Sequence, residues 1–328
     1  MGDLHGDFAA WRDILRGAQL VDADGHWTGG DTVLIQTGDV VDRGPDSLKL
    51  IQDIMRLQDE AARAHGRVIA LVGNHEAMNI LGDLRYVSPE DFAAYTNTRS
   101  VQLREDVYAA NKMALEAAYR QHDPQMSSDA IKQAWFKVTP LGRLEHQIAW
   151  GSHGKIGRWI ADNQAVALID GNLFVHGGIS PAYARMSIED INRQVRADLS
   201  ARALDIKSII NDPVGPLWYR GLATPNADEV DGPPAGAPEA TASTAPPEPP
   251  VEDQLETLLS GYGAKRIVIG HTPILSGIAM LNGGRLIRID TGISYVYGGK
   301  VSFLEILDGI PIPHTVERSP QPTKQGAQ

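Results

Sequence analysis

The 328-residue chain contains no cysteine, so disulfides, thiolate metal sites and cysteine nucleophiles are all excluded. It also lacks an apolar run long enough to cross a membrane. Positive charge is in deficit, because 30 lysines and arginines face 41 aspartates and glutamates, for a net charge of -11. That balance offers no basic surface for nucleic acid or an anionic membrane, so a phosphate-bearing ligand would have to be attracted locally.

A nucleotide phosphate loop is also missing. Glycine pairs occur at 29–30 and 283–284, but neither is followed by Gly-Lys-Ser/Thr, so both predict turns. The remaining composition, 42% hydrophobic and 22% charged, is ordinary for a folded protein with a sizeable core.

Hydrophobic periodicity predicts an α/β fold. Helices are predicted over residues 8–20 and 46–65, and each is followed by a short β-branched strand. A sheet covered by helices follows from this alternation. Asp170-Gly171 predicts a tight hairpin between two later strands. The predicted strands are 32–37, 67–72, 164–169, 172–175, 266–269, 285–290 and 300–306.

The middle and the end of the chain differ from this core. Residues 82–150 are polar and helical in pattern, and we interpret them as a helical cap inserted between core segments 1–81 and 151–316. Residues 223–252 are rich in proline, alanine and glutamate and are predicted to be disordered, as is the tail 317–328.

Five short motifs place glycine beside a residue that could bind a metal, and four of them follow a predicted strand. Strand ends are where open α/β sheets place their sites. No strand precedes the first motif, so we expect the natural chain to begin upstream, with a further strand and room for a targeting segment. The motifs are Gly2-Asp3-Leu4-His5-Gly6, Gly38-Asp39-Val40-Val41-Asp42-Arg43-Gly44, Gly73-Asn74-His75-Glu76, Val175-His176-Gly177-Gly178 and Gly270-His271-Thr272.

The Asp, His and Asn side chains of these motifs suit two divalent ions of manganese, iron or zinc. Two metals about 3.5–4 Å apart would generate hydroxide and neutralise phosphoryl oxygens in the hydrolysis of a phosphate ester. We assign the first ion to Asp3 and His5, and place Asp39 to bridge both ions. The second ion is completed by Asn74, His176 and His271.

Catalytic and phosphate-binding roles are assigned to residues beside these ligands. His75 is placed to protonate the departing alkoxide, with Asp42 accepting its other ring N–H. Arg43 offers a planar fork that matches phosphate oxygens, and Arg220 and Arg158 are further candidates for the same role.

Three other residues lie close to the motifs. Glu76 is interpreted as a structural hydrogen-bond acceptor rather than a catalytic group. Tyr295 and Tyr297 follow Asp290-Thr291-Gly292 on a loop that could line the phosphate pocket.

The motif set resembles that of the calcineurin-like metallophosphoesterases. Asp42-Arg43-Gly44 narrows the resemblance to the phosphoprotein phosphatase branch, and three longer strings are similar to the bacterial Shewanella-like phosphatases. The resemblance covers about residues 2–308, apart from the proline-rich insert. The strings are Leu71-Val72-Gly73-Asn74-His75-Glu76-Ala77-Met78-Asn79, Gly154-Lys155-Ile156-Gly157-Arg158-Trp159 and Pro216-Leu217-Trp218-Tyr219-Arg220-Gly221.

The resemblance implies two mixed β-sheets sandwiched between helices, with both metals at the sheet edges. It implies the ligand roles given above, in-line attack by a metal-bridging hydroxide, and manganese as the usual metal. It also implies phosphate contacts from Arg43 and Arg220, with a weaker match for Arg158. Val72 stands where the eukaryotic protein phosphatases have arginine, so docking of their regulatory subunits is not assumed.

The leading hypothesis is therefore a metal-dependent phosphoprotein phosphatase, with phosphoserine, phosphothreonine and phosphotyrosine all open. A dinucleoside polyphosphate hydrolase is the alternative, which a base-stacking aromatic near the metals would favour. A non-catalytic metal-binding scaffold is a minor alternative, because His75, Asp42 and Arg43 are all intact. We expect a phosphorylated protein or small phosphoester as substrate, no nucleic-acid partner, no membrane span, a monomer and, by default, a cytoplasmic location.

Overall fold

The computed structural model describes residues 1–223 and 249–319. This part of the chain forms ten α-helices and nine β-strands. The helices are α1 (Phe8–Gly17), α2 (Ser47–Arg63), α3 (Asn74–Leu81), α4 (Pro89–Ala93), α5 (Ser100–His122), α6 (Ser128–Val138), α7 (Arg143–Trp150), α8 (Lys155–Asp162), α9 (Ile188–Ala201) and α10 (Val251–Tyr262). The strands are β1 (Val33–Gln36), β2 (Arg67–Ala70), β3 (Val166–Ile169), β4 (Asn172–Val175), β5 (Arg266–Ile269), β6 (Ala279–Leu281), β7 (Leu286–Arg288), β8 (Ser302–Leu307) and β9 (Ile310–Thr315).

The largest sheet is mixed and has five strands in the order β3-β4-β5-β7-β6. Its three inner strands run parallel to one another, and each edge strand is antiparallel to its neighbour. β1 and β2 form a parallel pair, which adjoins the large sheet through a bridge between Leu71 and Gln164. β8 and β9 form an antiparallel hairpin. The predicted α/β class with mixed sheets is confirmed.

The turn between β3 and β4 follows the sequence signal. Asp170 has φ 50° and Gly171 has φ 78°, the pair of positive angles that a two-residue hairpin turn requires. Strands β6 and β9 were not predicted. β6 is a short, largely exposed edge strand, and β9 contains Pro311 and Pro313, which a strand tolerates only at an edge.

Helix α2 buries one apolar face and packs against β2. The buried residues of α2 recur at helical spacing, which is why this segment forms an amphipathic helix. A second, smaller apolar cluster packs between the strands themselves. Burying one such aliphatic side chain contributes about 1.5–3 kcal/mol, so the strand ends that carry the motifs are held firmly. The α2 set is Leu50, Ile51, Ile54 and Leu57, and the strand cluster includes Ile35, Phe174, Val268 and Ile287.

The segment 82–150 contains helices α4 to α7 and no strand, and the only buried residues of α5 are Ser100 and Tyr108. The predicted disordered insert falls mainly on residues 224–248, which lie outside the described residues, as do residues 320–328 of the predicted tail. No helix in the described ranges is both long and apolar enough to cross a bilayer.

Residues 1–3 run beside β1. The amino group of Met1 donates to the Ile35 carbonyl at 2.7 Å, and the Thr37 amide donates to the Met1 carbonyl at 3.2 Å. Gly2 has no room for a side chain, because a Cβ would lie 2.4 Å from the Ile289 carbonyl oxygen. This packing fixes the first motif between β1 and the residues that follow β7.

Candidate metal centre

Loops at the carboxyl ends of the strands bring the predicted ligands together. The ligand-bearing loops follow residues 1–2 and strands β1, β2, β4 and β5. Three of the ligands have positive φ angles: 42° at His5, 54° at Asp39 and 66° at His271. Such sparsely populated conformations persist only where the surrounding structure enforces them, and they cluster at functional sites.

Two glycines allow these loops to approach one another. A Cβ on Gly38 would lie 2.6 Å from the backbone nitrogen of Gly73, and one on Gly270 would lie 2.5 Å from Oδ1 of Asp3. Gly38 also has φ 95°. A side chain at position 38 would therefore push two ligand loops apart, and one at position 270 would displace the Asp3 carboxylate.

The Asp39 carboxylate lies between two buried groups of metal-type ligands. His5, Asp39 and His75 form one group, and Asp39, His176 and His271 form the other, with ligand atoms within 4.8 Å of one another in each. Oδ2 of Asp39 is 3.8 Å from Nε2 of His5, 3.9 Å from Nε2 of His75 and 3.3 Å from Nε2 of His176.

The remaining predicted ligands adjoin the second group. Oδ1 of Asn74 is 3.0 Å from Nε2 of His176. The backbone N–H of His271 donates to both carboxylate oxygens of Asp3, at 3.3 and 3.1 Å. All six residues that the sequence predicts as ligands thus lie in one buried site.

Two observations show that these residues fit divalent cations. Both ring nitrogens of His271 are buried and have no hydrogen-bond partner among the described residues, a costly state for a polar atom unless it ligates an ion. Burial and the nearby charges of Asp290 and Asp39 raise the pKa of Asp3 well above its usual range. Carboxylates gathered in this way need a compensating positive charge to stay ionised.

Backbone carbonyls orient two of the histidines. Nδ1 of His5 lies 3.0 Å from the Val41 carbonyl, and Nδ1 of His176 lies 2.9 Å from the Thr37 carbonyl. Each carbonyl accepts the ring N–H, which leaves Nε2 as the ligand atom. Burial lowers the pKa of His5 to about 3 and lowers that of His271 well below its usual range.

His75 differs because its ring partner is a carboxylate. Nδ1 lies 2.6 Å from Oδ2 of Asp42, whose other oxygen accepts from Nδ2 of Asn79 at 2.9 Å. Burial lowers the pKa of His75, but the charges of Asp39 and Asp42 more than offset it, so the pKa is raised overall. This imidazole can therefore carry a proton more readily than the rings of His5 and His271.

Glu76 fastens two of the loops together. Its carboxylate accepts the backbone N–H groups of Asp39 at 2.9 Å, Val40 at 2.8 Å and Gly73 at 2.8 Å. The interpretation of Glu76 as a structural acceptor agrees with these contacts. Burial and the charge of Asp39 raise its pKa to about 7.

Arg43 lies between two aromatic rings close to His75. Its guanidinium carbon is 4.8 Å from the ring centre of Tyr86 and 5.0 Å from that of Tyr297. The same rings approach the histidines, Tyr86 at 5.0 Å from His75 and Tyr297 at 5.4 Å from His5. Sequence reasoning singled out Tyr297 but missed Tyr86, which stands in a stretch without a motif.

The other two arginines are placed differently. Nη1 of Arg220 donates to the His271 carbonyl at 3.1 Å and to Oγ1 of Thr272 at 3.0 Å, so its guanidinium adjoins the second ligand group. Arg158 is exposed on α8, and its Nη1 donates to the His153 carbonyl at 2.8 Å. Within the described residues, no contact joins Arg158 to the ligands.

Comparison with protein families agrees with this site. The calcineurin-like phosphoesterase family matches residues 1–275. An uncharacterised protein of Schizosaccharomyces pombe is 32% identical over 93% of this chain and 76% of its own length. Shewanella-like protein phosphatase 2 of Arabidopsis thaliana is 30% identical over 90% of this chain and 70% of its own length.

Solved structures share the fold. A cold-active protein-tyrosine phosphatase from a psychrophilic Shewanella species superposes with a TM-score of 0.63, at 22% identity, over 96% of this chain and 78% of its own. A protein serine/threonine phosphatase from Saccharomyces cerevisiae gives a TM-score of 0.51 at 16% identity, over 98% of this chain and 80% of its own.

Proposed function

We propose that this chain, which belongs to the calcineurin-like phosphoesterase family, is a metal-dependent phosphatase that hydrolyses phosphomonoesters on proteins. The observation that carries the proposal is the pair of buried ligand groups that share Asp39. Two such groups around one carboxylate are the arrangement that a dinuclear hydrolytic site requires.

Asp3, His5 and Asp39 would hold one ion. Asp39 would also reach the second ion, whose other ligands are Asn74, His176 and His271. Two divalent ions bound there would supply an activated water and neutralise charge on the phosphoryl oxygens. The nitrogen and oxygen donors suit manganese, which we propose as the working metal, with iron or zinc as substitutes.

His75 would act as the general acid. Asp42 accepts its Nδ1–H and so directs Nε2 toward Asp39 and the ligand groups. The raised pKa keeps a proton available there near neutral pH, for transfer to the departing oxygen of the substrate.

Arg43 and Arg220 would bind the phosphate from two sides. Arg43 packs on the two tyrosine rings that contact His75 and His5, whereas Arg220 adjoins His271. A planar fork of donors on each side matches the oxygens of a phosphoryl group. Arg158 is retained as a candidate on its motif position alone.

A protein substrate is supported by the relative in Arabidopsis thaliana, which carries the name of a protein phosphatase. One observation favours the alternative, a dinucleoside polyphosphate hydrolase: the rings of Tyr86 and Tyr297 lie next to the ligands, where a base could stack. Both rings, however, already pack against the Arg43 guanidinium.

Phosphate release from three substrates by the manganese-loaded protein tests the proposal. The substrates are a phosphotyrosine peptide, a phosphoserine/phosphothreonine peptide and diadenosine tetraphosphate. Turnover of a peptide that is abolished by chelator and by His75→Ala, but not by Arg285→Gln on the surface, is the expected result. Cleavage of the dinucleotide alone would transfer the enzyme to the alternative class.

A further inference from the structure

A buried ion pair joins the end of the described chain to the first motif. Nη1 of Arg318 donates to Oδ2 of Asp7 at 2.6 Å, and its Nη2 donates to the Ile293 carbonyl. The Asp7 side chain is 1% exposed and that of Arg318 is 25% exposed. The planar fork of the guanidinium thus bridges α1 and the loop of residues 292–299.

Asp7 also accepts two backbone hydrogen bonds besides its ion pair with Arg318. Its Oδ1 accepts the backbone N–H of Ala10 at 2.9 Å and so caps the start of α1. Its Oδ2 accepts the backbone N–H of Tyr295 at 2.9 Å. One carboxylate therefore fixes the helix that follows the first motif and the 292–299 loop together.

The 292–299 loop carries this connection to the phosphate-binding side of the site. Oγ of Ser294 donates to the His5 carbonyl at 3.3 Å, and the Tyr297 N–H donates to the Ser294 carbonyl at 3.0 Å. The Tyr297 ring then packs on His5 and on the Arg43 guanidinium. The contacts form one continuous path from Arg318 to Arg43.

The residues on either side of Arg318 are also anchored. The Val316 N–H donates to the Val301 carbonyl at 2.9 Å. The backbone N–H and Oγ of Ser319 both reach the carboxylate of Asp13, at 2.7 and 2.5 Å. These anchors fix the backbone on both sides of Arg318, so less backbone freedom is lost when the ion pair forms.

We propose that Arg318 is a positioning residue for the phosphate site: through Asp7 and Ile293 it holds the 292–299 loop so that Tyr297 keeps Arg43 in place. Arg318 makes no described contact with the ligand groups, so its effect must pass through the loop. Only the kinetic part of this inference rests on the proposed function. Arg43 binds phosphate before and during reaction, so a loosened loop should raise KM more than it lowers kcat.

The variant Arg318→Gln tests the inference. Arg285→Gln is its matched control, because Arg285 also pairs with a carboxylate, Glu256 at 2.9 Å, on a different surface. Arg318→Lys keeps the charge beside Asp7 but lacks the fork that also reaches Ile293, so it should restore part of the effect.

Hydrogen exchange in metal-free protein gives a readout that needs no activity. We expect amides 293–298 to exchange about 10-fold faster in Arg318→Gln and at an unchanged rate in Arg285→Gln. The reason is that Asp7, which accepts the Tyr295 N–H, loses the guanidinium that ties it to the Ile293 carbonyl. Unchanged exchange in this loop would overturn the inference. Faster exchange spread across the whole protein would also overturn it, because it would show a role in global stability only.

Kinetics then separate the inference from the proposed function. With a phosphopeptide, Arg318→Gln should raise KM about 5-fold and leave kcat within about 2-fold, and Arg318→Lys should lie between it and the parent. A loosened loop with unchanged KM would overturn the positioning role. A parent protein without any phosphatase activity would refute the proposed function, while the exchange result would still decide whether Arg318 holds the loop.

Discussion

The two ligand groups share Asp39, but their histidines differ in hydrogen-bond partners and in the direction of their pKa shifts. On one side His75 hydrogen-bonds to the Asp42 carboxylate, and its pKa is raised in spite of burial. On the other side both ring nitrogens of His271 are buried and have no hydrogen-bond partner within residues 1–223 and 249–319. Burial together with the charge of Arg220 lowers the pKa of His271. Equally buried imidazoles thus differ in whether they can carry a proton.

The partner of the ring, rather than the depth of burial, makes this difference. A carboxylate partner stabilises the protonated ring, whereas an adjacent guanidinium destabilises it. We therefore propose that the site is divided into a proton-donating side at His75 and a metal-ligating side at His271. The predictions below test this division and the residues around it.

Asp39→Asn should have the largest effect, since this carboxylate belongs to both sides. Loss of its charge should remove bound metal and reduce kcat/KM roughly 10³-fold, which corresponds to a rise of several kcal/mol in the activation free energy. Elemental analysis and phosphopeptide turnover check this result. Asp162→Asn, an exposed carboxylate paired with Arg196, is the control and should retain both properties. Full metal content in Asp39→Asn would refute the shared role.

Arg43→Ala should raise KM about 10- to 100-fold, because charge-assisted hydrogen bonds to phosphate contribute about 1.5–3 kcal/mol. Arg158→Ala should change KM by less than about 2-fold, since its described contact is to a carbonyl of its own segment. Steady-state kinetics on one phosphopeptide compare the two. The opposite order would place the phosphate on the α8 side of the molecule.

Asp42→Asn should alter the pH profile. Without the Asp42 charge the pKa of His75 falls, so the protonated ring is lost at lower pH and the alkaline limb of kcat moves to lower pH. At pH 8 kcat should fall about 10-fold or more. Measuring kcat over a pH series for the parent and for Asp42→Asn locates the alkaline limb of each profile. The same limb position in both proteins would mean that His75 is not the general acid.

Asp91→Asn should have the smallest effect, on stability alone. Burial and the charge of Asp42 raise the pKa of Asp91 to about 7. An acid with a raised pKa in the folded state stabilises the protein at low pH, and this stability is lost as pH rises from about 4 through 7. The variant should therefore be about 1–3 kcal/mol more stable than the parent at pH 8 but similar at pH 4. Urea unfolding of the variant and the parent at both pH values measures this difference in the free energy of unfolding. An equal difference at pH 4 and pH 8 would contradict the prediction.

The grouping of the candidate ligand residues could be predicted because the turn that carries each one is encoded locally. Gly38 before Asp39 and Gly270 before His271 mark sharp turns at strand ends, and strand ends of one sheet meet at one edge. The hairpin at Asp170 was predictable for the same reason, since two adjacent residues set its geometry.

Features that depend on distant packing were not predictable. Tyr86 reaches Arg43 because the segment between α3 and α4 returns to the loop after β1, where the Arg43 N–H donates to the Tyr86 carbonyl. No local pattern signals that path. Edge strand β9 was hidden by its prolines. Arg318 was placed in a disordered tail, because its partner Asp7 lies 311 positions away in the sequence.

The most direct test of the division is to measure bound metal and kcat in His75→Asn and His271→Asn side by side. His75→Asn should keep the full metal content and lose about 10²- to 10⁴-fold in kcat, because it removes a proton donor. His271→Asn should lose about one metal ion per chain, because it removes a ligand. Loss of metal from His75→Asn with full retention in His271→Asn would contradict the account.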